Sequence, residues 1–400
     1  MADNKDKKVL NVPALRFPEF TGEWERHKLS EVCSFYSGGT PSSSKKEYYN
    51  GNIPFIRSGE LHKDYTELFI AVAGLSNSAA KLVETGDLLL ALYGATSGDI
   101  AISKIKGAIN QAILCIRTKQ NKKFIESVWN KHVERLLQTY LQGGQGNLSA
   151  DIVKNIPFYF ANSNEQDKLA KFISLLDERI ATQNKIIEKY ESLIQAMCDT
   201  LVEQETQQVT LSFSDFGQSY LGLSGKSAED FGEGYPFITY MNVYQNQIID
   251  LTDVGLVKIN ETEQQSVVRY GDILLTLSSE TPEEVGMGAV YLGETYPLYL
   301  NSFCFGIHIT DESKIYPPFL AYYVSSQSFR KAVYPLAQGS TRFNLQKSDF
   351  MKKKFSFPVI EKQRKIYSTL KTYSDKLIVE KQIMRLLCNQ KCYLLRQLFI

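Results

Sequence analysis

Two stretches of the chain carry the same hydrophobic period. From Glu165 the sequence EQDKLAKFISLLDERIATQNKIIEKYESLIQAMCDTLVEQETQQ contains neither glycine nor proline. Within it Leu169, Ile173, Leu176, Ile180, Gln183, Ile187, Tyr190, Ile194, Met197 and Leu201 are spaced alternately four and three apart. That is an a/d heptad seam with Gln183 as its one clearly polar member. From Glu361 a second segment keeps the register through Ile366, Leu370, Tyr373, Leu377, Met384, Leu387, Leu394 and Leu398, interrupted by Glu380 and Lys391. Each spacing predicts a helix of about forty residues, roughly 60 Å long at about 1.5 Å per residue. A lone amphipathic helix of that length cannot bury its stripe. The simplest partner for each is the other, which predicts a coiled coil.

Before each helix lies a segment rich in short apolar runs bounded by turn residues, the pattern of buried strands. In the first, strands are expected at Gly51–Ile56, Gly86–Gly94 and Ala108–Arg117, with a helix over Phe124–Leu141. In the second, strands at Gly234–Val243, Gly271–Leu277 and Tyr299–Ile309 take the same places, with a helix over Pro318–Tyr334. Each segment ends on one phrase: QGGQGNLSADIVKNIPFYF from Gln142 to Phe160, and QGSTRFNLQKSDFMKKKFSF from Gln338 to Phe357. The reading is an α+β protein with an internal duplication. It has an N-terminal segment (1–23), globular domains at 24–162 and 208–360, and long helices at 163–207 and 361–400.

Composition narrows the function. The formal net charge of the 400 residues is +1, so any nucleic-acid binding must rest on local patches. Six scattered cysteines without a CxxC pair, and four histidines, argue against a disulfide framework and against a metal site. Cys388 and Cys392 read as small apolar residues near the helix seam. The charged N-terminus is unlike a secretory signal and the apolar runs are too short to span a bilayer, so a cytoplasmic protein is expected. No GxSxG elbow, P-loop or HExxH motif is present. His62, between Glu60 and Asp64, reads as a solvated surface residue. Tyr316-Pro317-Pro318-Phe319 has a Tyr where an amino-methyltransferase motif needs a side-chain acceptor, and reads as a helix start.

What the sequence does offer is polar loops at matching places in the two halves. Backbone N–H groups, hydroxyls and amides contact phosphates and base edges. In the first half the candidate DNA-binding residues are Gly39, Thr40, Ser42, Ser43, Lys45 and Lys46, then Arg57, then Tyr93, Thr96 and Ser97, and finally Gly144, Gln145 and Asn147. In the second they are Lys226, Tyr240, Asn242, Ser278, Ser279, Ser340, Thr341, Arg342, Asn344, Lys352, Lys353 and Lys354. Between Arg342 and Lys371 nine basic residues face only Asp349 and Glu361, a local excess on a nearly neutral chain. A self-sufficient nucleic-acid enzyme and a coiled-coil scaffold without DNA binding are the competing readings.

This layout resembles the DNA-specificity subunit of a Type I restriction-modification system over nearly the whole chain. Leu15 to Trp24 (LRFPEFTGEW) is similar to that family's N-terminal entry. Gly39-Thr40-Pro41-Ser42, with Tyr48 to Ile56 after it, resembles its first recognition-domain signature. Asp349 to Gln363 resembles the junction before a conserved helix, which Asp151 to Gln166 matches less closely. The second half lacks the Gly-Thr-Pro-Ser loop and has Gly222 to Lys226 and Asp230 to Ile238 instead, which looks like a different class of recognition domain.

The resemblance implies two target-recognition domains alternating with two helices that pair antiparallel, and no catalysis by this chain. It implies double-stranded DNA as ligand, read as an asymmetric, split target with half-sites about one duplex turn, roughly 34 Å, apart. Two methylation subunits carrying S-adenosylmethionine, and two cleavage subunits using ATP and magnesium, are the implied partners. The outward helix faces are the expected docking surface. No cofactor or metal is expected on this chain.

Overall fold

A computed structural model describes residues 10–140, 148–294 and 296–400. The chain divides into two compact units, Met1–Asn184 with Ile383–Ile400, and Lys185–Gln382. Both are α+β and are built to one plan.

In the first unit a four-stranded sheet runs in the order Cys33–Ser37, Ile113–Thr118, Leu88–Ala91, Ile100–Ile102. Its counterpart in the second unit runs Gly217–Leu221, Cys304–Ile309, Ile273–Thr276, Gly288–Val290. The central strands Leu88–Ala91 and Ile273–Thr276 are buried along their whole length, which is why they read as continuous apolar runs without alternation. A second sheet joins Tyr49–Ile56 to Gly107–Ile109 in the first unit, and Phe231–Ile238 to Tyr299–Leu300 in the second, each pairing parallel.

The repeated phrase closes each domain. Its apolar end is a strand, Pro157–Phe160 or Lys354–Pro358, paired antiparallel with the strand that opens the domain, Glu25–Lys28 or Gln208–Ser212. The chain then enters a long helix, Ser163–Glu203 or Ile360–Leu398. One glutamine fixes each junction. Gln166 donates to Ala161 O at 2.7 Å and accepts from Asn121 N; Gln363 donates to Pro358 O at 2.8 Å and accepts from Tyr316 N.

The long helices pair antiparallel within each unit. In the first, Leu169 and Ile173 share a core with Leu395, Leu398 and Phe399, and with Trp24, Phe124 and Trp129. In the second, Ile194, Cys198 and Val202 share one with Ile366 and Leu370, and with Phe213 and Phe357. Ion pairs follow the same sense: Asp177 to Lys391 at 2.6 Å, and Glu191 to Lys381 at 2.7 Å. Leu169, Ile173, Gln183, Ile187, Ile194, Ile366, Leu370 and Leu387 are buried, and Leu176, Ile180, Tyr373, Leu377 and Met384 are half-buried. Glu380 is buried in the seam as well.

Several expectations change. The run expected as one strand at Ala108–Arg117 is two, Gly107–Ile109 and Ile113–Thr118. Asn110 Oδ1 accepts from Ala112 N at 3.2 Å and turns the chain. Asn301 does the same with Phe303 N at 2.9 Å, splitting Tyr299–Leu300 from Cys304–Ile309. The strand expected to reach Val243 stops at Ile238, because Thr239 caps a helix over Tyr240–Gln245. The helix expected over Pro318–Tyr334 is two, Pro317–Tyr323 and Gln327–Val333, with Ser326 capping the second. Cys388 and Cys392 lie exposed, off the seam. His62 is paired with Asp99, at 2.8 Å, rather than with Glu60 or Asp64.

Candidate nucleic-acid interface

In the second unit the repeated phrase begins as a hairpin. Ala337–Gln338 pairs with Phe343–Leu345, which pairs in turn with Ser278–Ser279. The turn needs glycine: Gly339 has φ +146°, and a Cβ there would meet Arg342 O. The hairpin tip, Ser340, Thr341 and Arg342, is exposed, as is Asn344. The Arg342 guanidinium lies 5.6 Å from the ring centre of Phe303, itself 54% exposed. Tyr240 Oη donates to Ser278 O at 2.8 Å and stacks on Tyr244. One surface thus gathers Tyr240, Ser340, Thr341, Arg342 and Asn344, whereas Ser278 and Ser279, also expected to contact DNA, are buried, with Ser279 Oγ donating to Glu284 at 3.0 Å. Ser278 Oγ beneath it is buried without a hydrogen-bond partner.

The same backbone joins occur in the first unit. Leu345 N–H donates to Leu277 O at 2.8 Å, and Leu148 N–H to Leu92 O at 2.9 Å. Leu277 N–H donates to Phe303 O, and Leu92 N–H to Ala112 O, both at 2.8 Å. These bonds tie the shared Asn-Leu of each phrase to the loop after the central strand. In the first unit that loop holds exposed Tyr93, and Thr96 and Ser97, with Ser97 Oγ donating to Leu92 O at 3.0 Å. Thr40 Oγ1 bonds Gln111, next to Ala112, and so brings the Gly38–Lys46 loop alongside. Ser42, Ser43, Lys45 and Lys46 are exposed and Gly39 is buried. Gly144, Gln145 and Asn147 lie outside the described residues.

Other candidates are engaged internally. Arg57 pairs with Glu60 at 2.9 Å and Glu67 at 2.7 Å. Burial raises the Glu60 carboxyl, but Arg57 and the backbone N–H groups of Arg57 and Glu67 outweigh it and hold the pKa down to about 2. Lys226 pairs with Glu263 at 2.5 Å, its side chain 4% exposed. Asn242 is fully buried and donates to the carbonyls of Asp250 and Asp253. Lys352 is exposed and Lys353 half-buried, while exposed Lys354 reaches Asp215 at 2.8 Å. Phe303, Tyr244 and Arg330 belong to the second-unit site and were not singled out by pattern.

Buried charge near the sites is structural in both halves. Asp272 accepts from Tyr220 Oη at 2.7 Å and His308 Nδ1 at 2.9 Å, while its counterpart Asp87 holds Arg117 at 2.9 Å. Tyr316-Pro317-Pro318-Phe319 starts a buried helix, with Arg364 over the Tyr316 ring. Among the described residues no group of His, Cys, Asp or Glu is placed to hold a metal ion, and no helix is long and apolar enough to cross a membrane.

Two α+β units of one plan, each followed by a long helix and each carrying polar loops at the same place, define a duplicated recognition protein. The chain matches the Type I restriction modification DNA specificity domain twice, over residues 21–192 and 222–387, and belongs to that family. It is 22% identical over 407 aligned positions to the Type I restriction enzyme MjaVIII specificity subunit of Methanocaldococcus jannaschii, covering 94% of this chain and 92% of that one. The EcoR124I/EcoR124II specificity subunit of Escherichia coli is 26% identical over 41% of this chain and 43% of its own length. In fold it is similar to the S subunit of the Type I restriction-modification system from M. genitalium, with TM-score 0.55 at 16% identity, covering 97% of this chain and 99% of that one. As a member of this family it is a non-catalytic DNA-recognition component of a restriction-modification complex.

Proposed function

We propose that this chain reads an asymmetric, bipartite DNA target, one half-site per unit, and docks two methylation and two cleavage subunits in the cytoplasm. The observation that carries the reading is one scaffold bearing two chemistries. Equivalent backbone bonds hold the loop after the central strand in both units, yet the first loop, Gly94-Ala95-Thr96-Ser97-Gly98, is uncharged. The second, Ser278 to Gly286 (SSETPEEVG), carries three glutamates. Loops so different cannot favour the same base edges, because a carboxylate accepts from base amino groups and is repelled by phosphates.

Docking falls to the helices. The helical part of the first unit exposes Leu175, Leu386 and Tyr393, and that of the second exposes Leu193, Ile378 and Val379. Large apolar side chains left in solvent are candidates for partner contact, and one set per unit suits two copies of one partner. S-adenosylmethionine would reside on the methylation subunits, and ATP and magnesium on the cleavage subunits.

Co-expression with the cognate methylation subunit, followed by mapping of methylated bases across the host genome, tests the reading. A single motif of two unlike halves around an unread spacer supports it. Methylation by this chain alone, or a palindromic motif, contradicts it.

A further inference from the structure

In the loop that distinguishes the second unit, one side chain takes up three backbone carbonyls. Arg330, on the helix Gln327–Val333, donates from Nη1 to Gly286 O at 2.6 Å. From Nη2 it donates to Glu283 O and Val285 O, both at 2.7 Å. Its side-chain bonds go to backbone carbonyls, and burial lowers its pKa. A half-buried cation whose bonds all go to three carbonyls of one loop is spent on that loop's shape. Gly286, at φ +67°, completes the fit, since a Cβ there would press on Val333 and Leu345.

The first unit solves the same problem differently. Trp129 Nε1–H donates to Gly98 O at 2.8 Å, and Gly98, at φ +86°, packs its backbone against Val133 and Leu137. A helix side chain clamping a left-handed glycine therefore closes the loop in both units. On the shorter loop the following helix makes one such bond, and on the longer, acidic one it makes a planar fork. Lysine carries the same charge but cannot span three carbonyls.

We infer that Arg330 is a positioning residue for specificity: it fixes the Ser278–Gly286 loop and so sets the base preference of the second unit's half-site alone, as Trp129 does for the first. This rests on the two-reader function proposed above.

The test uses the full chain in complex with its methylation subunit, and duplexes randomised one position at a time across the target. R330K is expected to cut discrimination at one half-site about tenfold, the weight of one good base contact, and leave the other half unchanged. W129F is expected to relax the opposite half. The salt dependence of affinity should stay near that of the parent, and W129F, which removes a buried donor, should lower the melting temperature while leaving the second half-site's discrimination unchanged. R330Q, which keeps two donors, stands in should R330K fail to fold. Parent-like discrimination in the Arg330 variant, or equal loss at both halves with a lowered melting temperature, overturns the inference. A parent complex with no sequence preference instead overturns the function on which it rests.

Discussion

Gln363 donates its side-chain amide to the carbonyl of Pro358 at 2.8 Å, while its Oε1 accepts from Tyr316 N at 2.8 Å. It is fully buried, and it ties three segments at the point where a globular domain becomes a long helix. Replacing Gln363 with Ala leaves a buried N–H and a buried carbonyl short of a partner. The expected cost is about 2–3 kcal/mol, read as a lower urea midpoint with an unchanged slope. Gln166→Ala should behave alike, because Gln166 makes the same pair of bonds.

Arg57 is expected to matter for stability and little for DNA. Its guanidinium is taken up by Glu60 and Glu67. The Glu60 pKa, about 2 in the fold against an ordinary 4.5, gives the sign. A carboxylate depressed by folding stabilises above its unfolded pKa, and that contribution is lost as pH falls through the folded value. The stability gap between parent and E60Q should be widest above about pH 4.5 and close toward pH 2. Chemical denaturation across that range measures it. A gap independent of pH would show that the ion pair carries none of it.

Arg57 also shows why part of the site was hidden in the sequence. A lone Arg at a strand end looks ready for phosphate, yet its partners stand three and ten residues on, a signal that was available. The long helices were legible because their period repeats over many turns, whereas a single residue decides a strand break. Asn110 and Asn301 interrupt apolar runs by accepting a backbone N–H two residues ahead, which composition does not reveal. Arg330 left no trace in the pattern, because its partners are carbonyls that any sequence supplies. The doubled phrase was the most informative stretch. Its shared Leu148 and Leu345 make the same bond in both units, and its divergent part becomes the exposed tip at Ser340–Arg342.

Arg342 is expected to contact phosphate. It is exposed at a hairpin tip and rests on Phe303 rather than on a carboxylate. Arg342→Ala should weaken duplex binding without changing the preferred sequence, and reduce the slope of log affinity against log salt by about one. Adding Lys352→Ala, Lys353→Ala and Lys354→Ala should reduce it further. A shift of base preference at one half-site would assign Arg342 to base reading instead.

Leu386 is expected to hold a methylation subunit. It is the most exposed large apolar residue of the first unit's helical part, with Tyr393 one heptad on. Leu386→Asp should weaken assembly at least tenfold, about 1.4 kcal/mol or more, with the thermal melt of the isolated chain unchanged. Light scattering of the mixed complex reads this directly. Undiminished assembly would move the docking surface elsewhere.

The central claim is that the two units read DNA independently, and exchanging the Gly38–Lys46 loop for that of a relative with another target tests it most directly. Methylated bases are mapped across the genome before and after the exchange, with the methylation subunit held constant. The account predicts a motif in which one half changes while the other half and the spacer stay as they were. A motif altered in both halves, or one left unaltered, would contradict it.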